Sequence, residues 1–168
     1  MNNKWDLRFL QLASVVASWS KDPSTKCGAV IVRPDKTVAS VGFNGFPQGC
    51  DDEAEYYNHR ETKYSRVVHD AVNAIIFARE PLYGYTMYTW PPAGSPTCDR
   101  CATVVIQSGI KRVVCLEPEP DSFNERWLQS QENALALYRE AGVRVSHVRG
   151  KVLDFCQTRF TWSGPNPY

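Results

Sequence analysis

Thr86-Met87-Tyr88-Thr89-Trp90 and Arg112-Val113-Val114-Cys115-Leu116 flank a helical run over residues 98–108 in the middle of the chain. The two flanking stretches are rich in β-branched and aromatic residues, which favour strands. Within the run, apolar residues recur on one helical face, and the run stops at Gly109, a typical helix-ending residue. The order strand, helix, strand predicts a sheet with a helix packed on it.

Further helices and strands alternate on both sides of this unit. Apolar periodicity and β-rich composition predict helices over residues 5–19, 67–79 and 124–141, and strands over residues 28–33, 38–43 and 143–148. Pro34-Asp35-Lys36 is a turn sequence, so the first two strands should form a hairpin. Residues 44–65 have no sustained period and predict a long loop. The expected fold is α/β, with a five-stranded mixed sheet, a leading β-hairpin and helices on both faces.

The composition indicates one folded domain without a strong overall charge. The chain has 168 residues, 43% of them hydrophobic, which is enough apolar surface for a core. The net charge of +1 disfavours polymeric nucleic acid and membrane surfaces as partners. No apolar run predicts a membrane span or a secretory signal, so we expect a cytoplasmic protein. We expect one domain over residues 1–150 and a C-terminal extension over residues 151–168, whose end, residues 161–168, suits packing on a partner subunit.

Cys98 and Cys101 place two sulfurs at the first turn of a predicted helix, where both can face one point. The helix N-terminus favours thiolate over thiol. Three interpretations compete: a redox dithiol, half of a four-cysteine structural zinc site, and two ligands of a zinc site completed elsewhere. The sequence has no second CxxC motif, and no Trp or Pro occupies the redox position. Only the third interpretation accounts for His69, at the start of the other predicted helix.

Three protein ligands would leave one position of a tetrahedral zinc ion open. That is the arrangement of catalytic rather than structural zinc sites. Water at the open position becomes a nucleophile near neutral pH. We therefore expect His69, Cys98 and Cys101 to bind one catalytic zinc ion.

The segments that carry these ligands are His69-Asp70-Ala71-Val72-Asn73-Ala74-Ile75 and Pro96-Thr97-Cys98-Asp99-Arg100-Cys101-Ala102. They resemble the H-x-E and P-C-x-x-C signature of the zinc-dependent cytidine deaminase superfamily. Within it, the chain is most similar to the deoxycytidylate (dCMP) deaminases, over about residues 5–148. The further motifs that carry this resemblance are Ser20-Lys21-Asp22-Pro23, Cys27-Gly28-Ala29, Gly42-Phe43-Asn44-Gly45-Phe46-Pro47-Gln48-Gly49-Cys50, Thr62-Lys63-Tyr64 and Ile106-Gln107-Ser108-Gly109-Ile110.

The resemblance implies a three-layer α/β/α fold and zinc on His69, Cys98 and Cys101. Ala71 departs from the family, which has at this position the glutamate that carries protons from the zinc water to the base and to the leaving ammonia. Because an alanine methyl cannot carry a proton, we expect a catalytically crippled form. It is either a Glu-to-Ala substitution or a natural non-catalytic member. Thr97 also departs, since the family usually has Pro directly before the first cysteine.

The resemblance also implies substrate contacts. Asn44 has the position whose side chain meets the sugar hydroxyl, and Gly45 lets the backbone approach closely. The loop of residues 24–26 is expected to hold the nucleotide phosphate. The remaining candidates are Ser24, Lys26 and Lys21 for the phosphate, and Tyr64 and Trp90 for the base. Each has an ordinary alternative: a turn asparagine, a solvated lysine or an aromatic ring packed in the core.

Family members usually form homo-oligomers, and some respond to nucleoside triphosphates with magnesium. The resemblance therefore allows a Mg-nucleotide effector and a second copy of the chain as partners. Some members also have a second, structural zinc site, for which Cys27, Cys50 and His59 are the available ligands. Asp22 disfavours it here, because it stands where those members can carry cysteine.

The expected activity is hydrolytic deamination of dCMP to dUMP and ammonia, in a form weakened by Ala71. A second enzyme hypothesis is deamination of another base or of a modified cytosine nucleotide, because the unusual loop of residues 90–97 borders the pocket. A hypothesis of a different class is a non-catalytic nucleotide sensor that kept the fold and the metal. Editing of tRNA or single-stranded DNA is disfavoured by the absence of a basic footprint.

Overall fold

The computed structural model describes residues 4–119 and 125–157. The helices and strands have these bounds: α1 Lys4–Ala17, β1 Gly28–Val32, β2 Val38–Phe43, α2 Ala54–Asn58, α3 Arg60–Arg66, α4 Asp70–Ala78, β3 Thr86–Trp90, α5 Asp99–Gln107, β4 Arg112–Leu116, α6 Glu125–Glu140, β5 Arg144–Val148, and a 3-10 turn at Phe155–Gln157. The described part contains no helix that is both long and apolar enough to cross a membrane.

The strands form one sheet in the order β2-β1-β3-β4-β5. Strand β1 runs antiparallel to both β2 and β3, whereas β3, β4 and β5 are parallel. The sheet is therefore mixed, and β1 and β2 form the predicted leading hairpin. Parallel neighbours need a crossover, and α5 and α6 supply the two crossovers.

The two faces of the sheet are covered by different helices. Helix α1 packs on one face, where Leu10 and Val16 lie among the buried residues of the strands. Helices α4, α5 and α6 cover the other face, with Ala74, Val105 and Tyr138 in its core. The three-layer α/β/α fold expected from the sequence is confirmed.

Two glycines bring helices close to the sheet. A Cβ atom on Gly28 would lie 2.4 Å from the carbonyl oxygen of Ala13, on α1. A Cβ atom on Gly42 would lie 2.4 Å from the carbonyl oxygen of Asp70 and 2.3 Å from the nitrogen of Ala74. The first turn of α4 therefore sits directly on β2.

The expectation of a long loop over residues 44–65 is wrong, because this segment contains α2 and most of α3. Tyr57 is the only buried residue of α2, and α3 has none, so neither helix has an apolar stripe. Tertiary contacts hold α2 in place: the Tyr57 ring stacks on Phe46 at 4.1 Å between centroids, and its hydroxyl donates to Asp52 at 2.7 Å.

The start of the C-terminal extension lies along α1. The backbone of Leu153 bonds to Gln11 and Ser14, and the Ser14 hydroxyl also accepts from the Phe155 amide. The division into a domain over residues 1–150 and an extension stays a prediction. The tail over residues 161–168 lies outside the described residues.

An ion pair joins α1 to the start of β4. The Arg112 guanidinium donates two hydrogen bonds of 2.8 Å to the Asp6 carboxylate, and the Tyr88 hydroxyl donates another. Replacing Arg112 by Met leaves a largely buried carboxylate without its counter-charge. We expect the free energy of unfolding to fall by about 2–3 kcal/mol in urea titrations at neutral pH. Lys21→Met breaks the exposed Lys21–Asp52 pair and should cost under about 1 kcal/mol.

The same pair should shape acid stability. Burial raises the pKa of Asp6, but the hydrogen bonds from Arg112 and Tyr88 outweigh burial, and the pKa is lowered overall. The stability gained is therefore complete above the ordinary aspartate pKa and is lost as pH falls through the lower folded value. Between about pH 5 and pH 2, Arg112→Met should lose less stability than the parent chain. Parallel stability curves for the two proteins would contradict this assignment.

Candidate zinc site

His69, Cys98 and Cys101 meet where α4 and α5 begin. His69 directly precedes α4, Cys98 directly precedes α5, and Cys101 lies in the first turn of α5. The Nδ1 atom of His69 lies 3.4 Å from the Cys98 sulfur and 3.2 Å from the Cys101 sulfur. All candidate ligand atoms of the three side chains lie within 4.8 Å of one another. The two helix starts lie together, and they bring to one point ligands that are 29 and 32 residues apart in the sequence.

The donor set fits a zinc ion, and Cys98 is the thiol of the set that ionises most readily. Hydrogen bonds from Cys101 and His69 lower the pKa of Cys98 to about 4, against the opposing effect of burial. The hydrogen bond to Cys98 and burial raise the pKa of Cys101, and the hydrogen bond to Cys98 raises that of His69. Sulfur and imidazole nitrogen are the ligands that zinc prefers, and a three-residue set leaves one position open. Among the residues that the structure describes, no other group of His, Cys and acidic side chains brings its ligand atoms this close together, and Cys27, Cys50 and His59 do not form such a group.

Ala71 lies in the first turn of α4, two residues after His69. It is 1% exposed and belongs to the core cluster that includes Cys101 and Ala102. Asp70, beside it, is half-buried, and desolvation raises its pKa to about 6 while the His69 charge opposes the rise. The position two residues after His69 thus holds a methyl group, and the residue before it on the helix carries a carboxyl group.

The loop before Cys98 is anchored to helix α6. The Thr97 hydroxyl is buried and lies 2.6 Å from the Tyr138 hydroxyl of α6, so Thr97 is anchored where the family usually has Pro. The Ser95 hydroxyl is buried and has no hydrogen-bond partner among the described residues. This loop therefore carries one satisfied and one unsatisfied hydroxyl close in sequence to the zinc ligands.

Asn44 and Gly45 are joined to the zinc site through the backbone. Gly45 and Val68 exchange two hydrogen bonds, of 2.8 and 3.1 Å, and Val68 directly precedes His69. The Asn44 side chain is buried, with Oδ1 accepting from the Cys27 amide and Nδ2 donating to the Thr25 carbonyl and Asp22. The residue after Asn44 thus pairs with the residue before the first zinc ligand, while the Asn44 side chain bonds to the segment of residues 22–27.

The predicted phosphate-binding residues lie beside Asn44. The backbone amides of Ser24 and Thr25 donate to the Asp22 carboxylate, at 2.8 and 3.2 Å. The Lys26 ammonium donates to the Ser20 carbonyl. Lys21 instead pairs with Asp52 at 2.7 Å and is mostly exposed. Ser24 and Lys26 therefore belong to one ordered loop with Asn44, and Lys21 is bound by a different partner.

The two aromatic candidates have different environments. Trp90 is buried in the core on the α1 face of the sheet, which fits the alternative of core packing. Tyr64 is 46% exposed, and its hydroxyl accepts a hydrogen bond from Arg126 at the start of α6. The guanidinium groups of Arg60 and Arg126 each lie 5.5 Å from its ring. A base contact by either ring stays a prediction.

Sequence reasoning assigned no role to the buried pair of Asp22 and Lys63, which contact at 2.8 Å. Both residues lie in motifs that carried the family resemblance, Ser20-Lys21-Asp22-Pro23 and Thr62-Lys63-Tyr64. That was the available signal, but nothing in either motif shows that the two residues meet across 41 positions.

A mixed sheet with one histidine and two cysteines at the starts of two helices is the arrangement of the zinc deaminases. Residues 3–117 match the family model described as the cytidine and deoxycytidylate deaminase zinc-binding region, and the chain belongs to that family. The zinc ligands of this region are His69, Cys98 and Cys101.

Individual relatives agree with this assignment. The "uncharacterized deaminase in luxG 3'region" of Aliivibrio fischeri is 43% identical over 147 residues, covering 87% of this chain and 95% of the relative. The deoxycytidylate deaminase of Mus musculus is 34% identical over 164 residues, covering 90% and 86%. The crystal structure of dCMP deaminase from the cyanophage S-TIM5, in apo form, superposes with a TM-score of 0.65 at 19% identity, covering 88% of this chain and 100% of the other. This last likeness supports the fold.

Proposed function

We propose that the zinc site binds dCMP and is built for its hydrolytic deamination. In this reaction a water oxygen becomes the carbonyl oxygen at C4 of the base, and the amino group leaves as ammonia. Zinc, when bound, supplies the Lewis acidity that makes water a nucleophile near neutral pH. The observation that carries the proposal is the convergence of His69 Nδ1 with the sulfurs of Cys98 and Cys101, within 3.4 Å.

The choice of dCMP rests on the relatives and on the neighbourhood of the zinc ligands. Several relatives are named deoxycytidylate deaminases, and a cyanophage S-TIM5 structure of the same fold contains dCMP and dUMP. In this chain, Asn44 would meet the sugar hydroxyl, and the 24–26 loop would hold the phosphate through Ser24 and Lys26. Asn44 Nδ2 donates to the Thr25 carbonyl, so the candidates for sugar and phosphate belong to one hydrogen-bonded unit, which supports this assignment.

We further propose that Ala71 makes turnover by this chain very low. Losing a positioned general acid and base costs about 10²- to 10⁴-fold in rate. Binding of zinc and nucleotide does not need the missing carboxyl, so both should persist. Homo-oligomer formation, a cytoplasmic location and a Mg-nucleotide effector stay predictions.

Calorimetric titration of the zinc-loaded chain tests the substrate without depending on turnover. We expect one dCMP per chain, bound at least about 10-fold more tightly than deoxycytidine, because the phosphate adds charge-assisted hydrogen bonds. CMP should bind more weakly than dCMP. Equal affinity for dCMP and deoxycytidine would contradict a phosphate site, and no binding of either would contradict the proposed substrate.

A modified cytosine nucleotide is a second candidate substrate. The Ser95 hydroxyl favours it, because it is buried without a partner in a loop that leads to Cys98. An extra polar group on the base could satisfy such a hydroxyl. Titration with 5-hydroxymethyl-dCMP distinguishes the two: affinity more than about 10-fold above that for dCMP, lost in Ser95→Ala, would replace dCMP as the proposed substrate.

A further inference from the structure

The Asp22 carboxylate is the centre of a buried hydrogen-bond network. It is 2% exposed, and Oδ1 accepts from the amides of Ser24 and Thr25 and from the Lys63 ammonium. Oδ2 accepts from Asn44 Nδ2 at 3.3 Å and lies 2.8 Å from Lys63 Nζ. One carboxylate therefore joins the 24–26 loop, the residue after β2 and helix α3.

This network fixes which way the Asn44 amide points. Its Nδ2 atom has two hydrogens, and both are used, by Asp22 Oδ2 and by the Thr25 carbonyl. Its Oδ1 atom accepts one hydrogen bond, from the Cys27 amide, and keeps a second acceptor position. Asn44 is thereby presented as an acceptor, which suits a hydroxyl donor such as that of a sugar.

The charge of the network matters as much as its geometry. Asp22 binds the backbone amides of the loop that would receive the nucleotide phosphate. An uncompensated carboxylate there would repel the phosphate through a poorly screened interior. Lys63 is 12% exposed and sits against both carboxylate oxygens, so the pair is close to neutral.

We propose that Asp22 and Lys63 are positioning residues for the nucleotide, and that Lys63 sets the preference for nucleotide over nucleoside by cancelling the Asp22 charge. The pair orients Asn44 and the 24–26 loop without touching the substrate. This inference rests on the proposed function and adds to it the source of phosphate selectivity.

The test compares binding of dCMP and deoxycytidine to zinc-loaded full-length variants by calorimetry. In Lys63→Met, dCMP should bind at least about 10-fold more weakly, while deoxycytidine changes by less than about 3-fold. Asp22→Asn/Lys63→Met removes both charges and should recover dCMP affinity to within about 3-fold of the parent. Lys63→Arg should also retain it. Lys36→Met is the control. Lys36 lies in the hairpin turn before β2, whereas Asn44 follows β2, so this change should alter the affinity for neither ligand.

Zinc content and thermal unfolding separate this role from general support of the fold. If Lys63→Met loses zinc or structure, the double variant carries the test, and dCMP binding more than about 10-fold below the parent would overturn the inference. Equal losses for both ligands in a folded Lys63→Met would overturn it too. If the parent chain and the Lys63→Met variant bind dCMP equally well, only this inference is overturned. A parent that binds neither ligand overturns the proposed function as well.

Discussion

Replacing Ala71 by glutamate should raise the rate of ammonia release from dCMP by about 10²- to 10⁴-fold. Position 71 lies in the first turn of α4, two residues after His69, in the cluster that includes Cys101. A carboxyl group there can accept a proton from water and return it to the base and the leaving amine. The measurement is ammonia release at saturating dCMP by the parent and Ala71→Glu proteins, at matched zinc content.

Ala71→Gln is the matched control for this change. Glutamine has the size and reach of glutamate, so it tests whether filling a buried position disturbs the core, but its amide cannot exchange a proton in the same way. The rate for Ala71→Gln should stay near that of the parent. Asp70→Asn in the parent background measures what the neighbouring carboxyl contributes to any residual turnover. If both Ala71→Glu and the parent bind dCMP and zinc yet release no ammonia, the nucleotide-sensor hypothesis is favoured.

The sequence predicted the features that depend on local pattern. Apolar periodicity marks the helices α1, α4, α5 and α6, because each buries one face against the core. Composition rich in β-branched and aromatic residues marks the strands, of which β1, β3 and β4 are buried on both faces. The zinc ligands could also be predicted. Cys98 and Cys101 stand at the start of α5 and His69 at the start of α4, and the resemblance to a known zinc signature indicated that the two starts meet.

The features that were missed depend on contacts between distant segments. Helix α3 buries no residue, so its sequence has no period to detect. The Asp22–Lys63 pair is made by folding α3 back on the loop before β1, and single lysines and aspartates are ordinarily solvated. Trp90 shows a related limit: strand periodicity indicates that alternate residues face opposite sides of a sheet, but it does not say which side carries the zinc ligands.

Loss of one zinc ligand should abolish both the metal and the chemistry. We expect His69→Ala and Cys98→Ser to lower the zinc content from one ion per chain to a small fraction, because a two-ligand site no longer closes around the ion. In the Ala71→Glu background the same changes should cost at least about 10³-fold in ammonia release, since the metal is needed to activate water. Mass spectrometry under native conditions measures the zinc, and the ammonia assay measures the rate.

Cys50→Ala is the matched control, because Cys50 is exposed and lies outside the group of His69, Cys98 and Cys101. It should keep both zinc and activity. A loss of zinc in Cys50→Ala would instead support a second zinc site made by Cys27, Cys50 and His59. Acidification gives an independent check: protons compete with zinc for imidazole and thiolate, so occupancy should fall as pH is lowered. Zinc retained after both His69→Ala and Cys98→Ser would mean that the ion is held elsewhere, and the proposed deamination would then lose its structural basis.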